Sequence, residues 1–438
     1  MKKILTVVLL LVSSLARPQA TTWAMPDQPG EPVQAEFLNS GAAAFVWGNH
    51  AAFENEGGWS YRSYSVAGAE SVRLNDISTN PGTVYAVGAF VVGGYPRPLV
   101  LRLDAGFDAD SAIAPAAGGF YGTGELTAAG GGFDVRAWGS RNYQGFPDTA
   151  TTQRAFNVQV PLQWGQLTQL VQEVHPRNTS VKHAMGDYAV GSFPGDFAFM
   201  WANSLETDSL HIQGHVGSLE DVSTDLTMCG SVQVDGVIQC GIVIQPAQNG
   251  GVYSTYGLIG HSIEFHSGHD GYLVGSYDGR PAILMQSNGS LWTLSQPGRC
   301  LRVRRPGGVL AVASLVGGST LRVDRFTAGF PGECWVQEGF VPTQAVPFGP
   351  AFTFGLPDAS GLAYPRSYSA VESSEAAGSE GCSTGTPEQF ARSASPIREL
   401  LSPDGRLVAR ASLPAADGLY IVRRADGSAR LEYLRTNR

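Results

Sequence analysis

Asp270-Gly271-Tyr272-Leu273-Val274-Gly275-Ser276 strings together a tight turn, a short apolar strand and a Gly-Ser pair. The same order of parts returns in Gly186-Asp187-Tyr188-Ala189-Val190-Gly191-Ser192 and in Pro81-Gly82-Thr83-Val84-Tyr85-Ala86-Val87-Gly88-Ala89. Looser copies end at Gly48, Gly139-Ser140, Gly230-Ser231, Ala313-Ser314 and Ala411-Ser412. With positions 48, 88, 139, 191, 230, 275 and 313 as markers, the copies recur every 38 to 52 residues. Self-similarity of this kind defines an architecture before any single residue defines a chemistry.

A second β-like run follows most copies, as in residues 97–103, 242–244, 280–285, 320–323 and 418–422. Turn signals such as Asn288-Gly289 and Asp426-Gly427 then precede another short strand. One small twisted sheet cannot bury both of its faces, but several packed around an axis bury them against each other. A repeat of about 40–50 residues matches one four-stranded propeller blade. A β-helix repeats with a shorter coil, and a β-sandwich need not repeat at all. The expectation is therefore an all-β β-propeller, seven-bladed favoured and eight possible. The first and last copies together would complete one blade. A Gly or Ala after the inner strand would allow close backbone approach near the crowded axis.

Composition agrees. The 438 residues are 43% hydrophobic, enough for a sizeable core, but only 15% charged, and they include 55 Gly and 26 Pro. Frequent turns and short strands follow from that balance. The start, with Lys2 and Lys3, an apolar run over residues 4–12 and the small residues Ser14-Leu15-Ala16, reads as a secretory signal. This divides the chain into a signal peptide at 1–20, a linker at 21–39 and a propeller domain at 40–438. Residues 331–396 read as a loop insertion before the last blade, or a degenerate blade. Within them, residues 372–386 are rich in Ser, Gly, Ala and Glu with little to bury. No integral membrane span is expected. The mature protein is expected to be secreted or periplasmic, and a monomer. A net charge of −9 argues against nucleic acid as the main partner.

Near Asn80–Asp108, and again at Ser402-Pro403-Asp404-Gly405-Arg406-Leu407-Val408, the chain resembles the delta-60 type of bacterial propeller repeat. That family pairs a Pro-Asp-Gly-Lys/Arg turn with an apolar strand and then an Arg-Leu strand. The resemblance implies a fold and brings no catalytic residue with it.

Export makes the cysteines readable, since an oxidising compartment permits bridges. Cys229 and Cys240 flank a strand-turn-strand and are candidates for one disulfide. Cys300 and Cys334 are further candidates, with Cys382 the third remaining thiol. One of the three is left over if a second pair forms, and sequence alone does not fix the connectivity. No CxxC spacing exists, which argues against a thiolate zinc site. Seven of the eight histidines lie between His175 and His269. The densest group holds His261, Glu264, His266, His269 and Asp270. These residue types could bind a divalent metal or act as an acid-base pair. A strand period of two splits them between faces, however, and His269-Asp270 falls at a turn. Turn chemistry is the simpler account, and no cofactor is expected. No Gly-x-Ser-x-Gly, HExxH or phosphate-loop motif appears. Trp59 and Tyr61 alternate like one face of a core strand, with Tyr64 nearby; exposed, they would make sugar or protein contacts. The sequence thus points to an exported, non-enzymatic propeller that binds a protein or a glycan. The competing expectation is a carbohydrate-active hydrolase or lyase with carboxylates and a His at the axial opening. Two carboxylates and a His converging in one deep axial pocket would favour the enzyme.

Overall fold

The computed structural model describes residues 20–27, 29–30, 32–55, 58–80, 83–113, 124–130, 136–142, 153–159, 171–173, 180–185, 188–192, 198–202, 207–211, 215–223, 226–234, 238–247, 250–256, 261–326, 339–345, 348–354, 365–369, 397–401, 407–410, 418–424 and 429–434. The signal-like start, Cys334 and most of residues 331–396 lie outside them.

Strand β1 (Thr21–Ala24) leads into a series of antiparallel meanders, each pairing its strands in chain order. The first is β2 (Gln34–Phe37), β3 (Ala43–Trp47), β4 (His50–Asn55) and β5 (Gly58–Ser63). The second is β6 (Ser71–Asn80), β7 (Thr83–Val92), β8 (Tyr95–Leu103) and β9 (Ala109–Ile113). Next come β10 (Gly124–Gly130), β11 (Arg136–Asn142), β12 (Gln153–Gln159) and β13 (Val171–Glu173). They are followed by β14 (Ser180–Met185), β15 (Tyr188–Ser192), β16 (Ala198–Ala202) and β17 (Thr207–His211). Then come β18 (His215–Val222), β19 (Met228–Val234), β20 (Ile238–Ala247) and β21 (Gly250–Tyr256). After those lie β22 (Ile263–His269), β23 (Tyr272–Tyr277), β24 (Arg280–Met285) and β25 (Ser290–Thr293). Finally β26 (Gly298–Arg304), β27 (Leu310–Val316) and β28 (Thr320–Phe326) make a sheet whose fourth strand is β1, with Thr21 opposite Val323.

Each first strand packs on the sheet before it: β6 on β3, β10 on β7, β14 on β10, β18 on β15, β22 on β19 and β26 on β23. Strand β2 packs on β26, which closes the circle. This is a β-propeller arrangement. The closure differs from the one expected, because the ring is joined by β1 on β28 rather than by the copy near Ala411. Residues 21–39, expected as a linker, supply β1 and β2.

The core lies between the sheets. On β3, Ala43, Phe45 and Trp47 pack towards β26–β28, while Ala44 and Val46 pack towards β6–β8. That period of two, with both faces covered, is why the strand is buried at every position. Trp59 and Tyr61 pack, half-buried, against the seam with β1, where Trp23 stacks on Trp59 at 6.2 Å. Tyr64 faces the other seam and is buried, its hydroxyl donating to the Phe107 carbonyl at 2.7 Å.

Beyond β28, β29 (Val341–Ala345) extends the sheet at β25, and β30 (Phe348–Phe354) with β31 (Pro365–Ser369) extends the sheet at β21. Phe340, just before β29, is fully buried against Phe326 between neighbouring sheets. The described parts of the segment expected as an insertion or degenerate blade therefore add strands to existing sheets. The last repeat copy falls on β33 (Leu407–Arg410), in a separate sheet with β32 (Ile397–Leu401), β34 (Gly418–Arg424) and β35 (Ala429–Leu434).

The expected Cys229–Cys240 bridge does not fit the register. Cys229 stands opposite Val243, and Cys240 opposite Val232. Their positions are thus offset by three residues along the ladder, about 10 Å. An odd offset also puts the two thiols on opposite faces. A disulfide needs Cα atoms within about 7 Å. Cys229, Cys240 and Cys300 are free and buried. Burial pushes the Cys240 and Cys300 thiols up to about 12, so neither offers a reactive thiolate.

Closure is reinforced by one buried carboxylate. Glu54 on β4 accepts from Nη1 and Nη2 of Arg325 on β28, at 2.7 and 2.5 Å, and from the Thr21 hydroxyl at 2.6 Å. Burial alone would raise its pKa; Arg325 and Thr21 more than offset that and hold it low. Charge-assisted hydrogen bonds contribute about 1.5–3 kcal/mol each. Glu54→Gln, which keeps shape but removes the charge, is expected to cost about 2 kcal/mol in urea denaturation. An unchanged midpoint would show that the clamp contributes nothing to closure.

Candidate functional site at the ring axis

The first strands of the sheets share a local irregularity. The register slips by one residue at Leu74/Asp76, Leu126/Ala128, Val181/His183, Leu219/Asp221, Phe265/Ser267 and Cys300/Arg302. Each slip is a β-bulge, and the residue before it faces a small residue on the second strand. Those partners are Gly88, Gly139, Gly191, Gly230, Gly275 and Ser314. Five of the sequence markers thus hold equivalent positions. In the sheet of β26–β28 the equivalent is Ser314, one residue past the marker at 313. Gly48 is not equivalent: it lies in a turn after β3 with φ of 51°, and β2 pairs with β3 without a bulge.

A bulge leaves backbone groups out of the ladder, and inside a protein they need partners. The residue after the bulge supplies them to the neighbouring sheet. Asp76 accepts the N–H of Ala129 at 2.9 Å, Asp221 that of Gly268 at 3.0 Å, and Ser267 that of Val303 at 3.1 Å. Ala129, Gly268 and Val303 each stand one residue beyond the post-bulge position of the next sheet.

These post-bulge side chains meet at the centre. Arg302 Nη1 donates to Asp221 Oδ1 at 2.6 Å, and Arg304 Nη1 to Asp221 Oδ2 at 3.0 Å. Arg304 Nη2 reaches Glu36 Oε2 at 3.3 Å, and Arg302 Nε donates to the Ala35 carbonyl at 2.8 Å. The His183 ring lies 3.1 Å from Asp221 through Nε2, 3.1 Å from Arg302 through Nδ1 and 3.7 Å from Asp76. Nδ1 faces the Arg302 guanidinium, and Nε2 stands between Asp221 Oδ1 at 3.1 Å and Arg304 Nη2 at 3.2 Å. Residues from non-adjacent sheets can touch only at the axis of a ring, so this is an axial cluster. Glu36, Asp76, His183, Asp221, Arg302 and Arg304 are all buried.

Electrostatics fit that picture. Burial would push the Asp221 carboxyl up; Arg304, Arg302 and His183 together hold it well below the usual carboxylate range. Arg304 is held above its ordinary value, because Asp221 and Glu36 outweigh the cost of burial.

One level above the cluster, bulge residues and residues two positions before them form a rim. Arg73 pairs with Glu125. Asn75 donates to the Leu126 carbonyl at 2.7 Å, and Thr127 to the Val181 carbonyl at 2.7 Å. Lys182, Glu220, Glu264, His266 and Arg299 continue the ring at the same level, partly or fully exposed.

The histidine group read from the sequence is dispersed. His261 Nδ1 pairs with Asp278 at 2.6 Å and its ring stacks on Tyr277. Asp270 pairs with Arg305 at 2.9 Å, and His269 Nε2 lies 3.8 Å from Asp270. Glu264 and His266 come within 3.7 Å of each other at the rim. Among the described residues, no three His, Cys, Asp or Glu side chains are grouped to hold a metal. Sequence reasoning missed Glu36, Asp76, His183, Asp221, Ser267, Arg302 and Arg304.

No family model matches the chain, and no curated protein matches it. Among solved structures it is similar to a chain of the mitotic checkpoint complex, at 9% identity and a TM-score of 0.29, covering 96% of this chain and 92% of that one. It is also similar to Sqt1 from Chaetomium thermophilum, at 13% identity and a TM-score of 0.29, covering 67% of this chain and 96% of that one. At such scores the propeller assignment rests on the strand pairing above.

Proposed function

We propose that this chain is an exported, seven-bladed, non-enzymatic propeller that binds a protein partner through its rim. The observation that carries this reading is the state of the axial carboxylates. Glu36, Asp76 and Asp221 do converge with a His, the arrangement that would favour a hydrolase. They are buried, however, and committed to two guanidiniums and to backbone N–H groups. A general acid or base must reach a substrate proton within hydrogen-bond distance. These groups have no such freedom, and their chemistry is that of a structural plug. The sheet that β1 completes with β26–β28 supports counting seven blades.

The rim above this buried cluster is the surface we assign to recognition. Arg73, Glu125, Lys182, Glu220, Glu264 and Arg299 mix both signs within one ring, which suits a polar protein surface. A glycan is the second candidate ligand of the same rim.

The test uses the full chain with Arg73→Glu and Lys182→Glu together. Both side chains are exposed, so the melting temperature is expected to hold. Capture of a protein from the secreted fraction by wild type, lost about tenfold or more in the variant, supports the reading. Capture of polysaccharide instead moves the ligand to a glycan. Turnover of a glycoside panel that Asp221→Asn abolishes without unfolding the protein would replace the proposal with the hydrolase.

A further inference from the structure

His266 occupies the bulge of β22, the position filled by Asn75 on β6 and Thr127 on β10. Asn75 and Thr127 each donate to the backbone carbonyl before the bulge in the next sheet. His266 makes no such bond. A fifth of its side chain is exposed, but its Nε2 is buried and without a hydrogen-bond partner. Glu264 Oε2 stands 3.7 Å from that nitrogen, beyond hydrogen-bond distance.

The charged groups facing the ring are Glu220 on β18, Glu264 on β22, and Arg299 and Arg302 on β26. Strands β19, β20 and β23, which also pack on β22, contain no Asp, Glu, Lys or Arg. A proton on His266 therefore adds a cation to a slot that already holds two guanidiniums beside the two carboxylates, with no acceptor within hydrogen-bond distance of its Nε2–H.

We propose that His266 is an acid-sensitive pin in the seams that join β22 to β18 and to β26. Neutral, it sits in its slot; protonated, it is driven outwards to Glu220 and Glu264. The next residue, Ser267, donates to Asp221 at 2.6 Å and accepts the Val303 N–H at 3.1 Å. Displacing His266 thus pulls on the bonds that staple both seams. The inference does not depend on what the rim binds.

Burial, opposed by Glu220 and assisted by Arg299 and Arg302, lowers the His266 pKa to about 4. An unfolded His titrates near 6.5. Between those values the unfolded chain binds the extra proton, so the stabilisation is complete above about pH 6.5 and is lost as pH falls towards 4.

The experiment is calorimetric melting of the full chain between pH 7 and 4.5, alongside His266→Gln and an NMR titration of the His266 ring in the wild type. Gln keeps a polar side chain that does not titrate in this range. The wild-type melting temperature is expected to fall by about 3 °C more than that of the variant across this window. The ring is expected to titrate below pH 5. A ring that titrates at 6 or above overturns the proposal. So do parallel pH profiles for the two proteins. If His266→Gln does not fold, the NMR titration decides alone.

Discussion

Gly191→Val lowers the melting temperature by about 3 °C or more, the consequence of roughly 3 kcal/mol of steric strain. Gly191 on β15 faces Val181, the residue just before the bulge of β14. A Cβ at this glycine would overlap the Ser180 carbonyl oxygen, with the Ser180 carbonyl carbon and Val181 Cα also in its way. All of these atoms are backbone, so no side chain can rotate to make room. The β14 strand would have to move, and it carries His183 of the axial cluster. Gly191→Ala tests the cause, since the clash begins at Cβ and alanine should already lose most of that stability. The control is Gly279→Ala, where a Cβ meets nothing but φ is 71°. It should cost only about 1 kcal/mol, from backbone strain. Calorimetric melting of the three variants checks the ranking. A Gly191→Val protein that melts with the wild type would remove the close-approach account.

The same geometry explains what the sequence disclosed. Gly88, Gly139, Gly191, Gly230 and Gly275 are required by one backbone contact made in five sheets, so the repeat was visible as letters. Ser314 takes that position in the sheet of β26–β28, one residue past the repeat marker at Ala313. The closing strand was not visible, because Thr21–Ala24 is four residues long and its partner Thr320–Phe326 lies at the far end of the ring. The axial cluster was hidden for a different reason. Asp76 precedes Gly88 by twelve residues but His183 precedes Gly191 by eight, since the hairpins between them differ in length. No fixed spacing links the polar residue to the glycine. The histidines around residue 265 drew attention because they are close in sequence, yet strand alternation and the bulge send them to different neighbours.

Asp221→Ala is expected to be the most damaging single change in the ring, at about 3–5 kcal/mol. The carboxylate serves Arg302 and Arg304 on β26, His183 on β14, and the Ser267 hydroxyl and Gly268 N–H on β22. Removing it strands two guanidiniums away from water with, among the described residues, only Glu36 close enough to pair with them. That residual charge, more than the lost bonds, sets the cost. Replacing the whole group by apolar residues, as in Asp221→Leu with Arg302→Met and Arg304→Met, should therefore recover much of the loss. Acid provides an independent check. Because the folded Asp221 is held below its ordinary value, its contribution is present above about pH 4 and is lost as pH falls further. Asp221→Asn should flatten the melting profile below pH 4 and leave the His266 window above it unchanged. A wild-type profile that is flat below pH 4 would mean that the central carboxylate is not held by the arginines, and the sealed axis would lose its electrostatic basis.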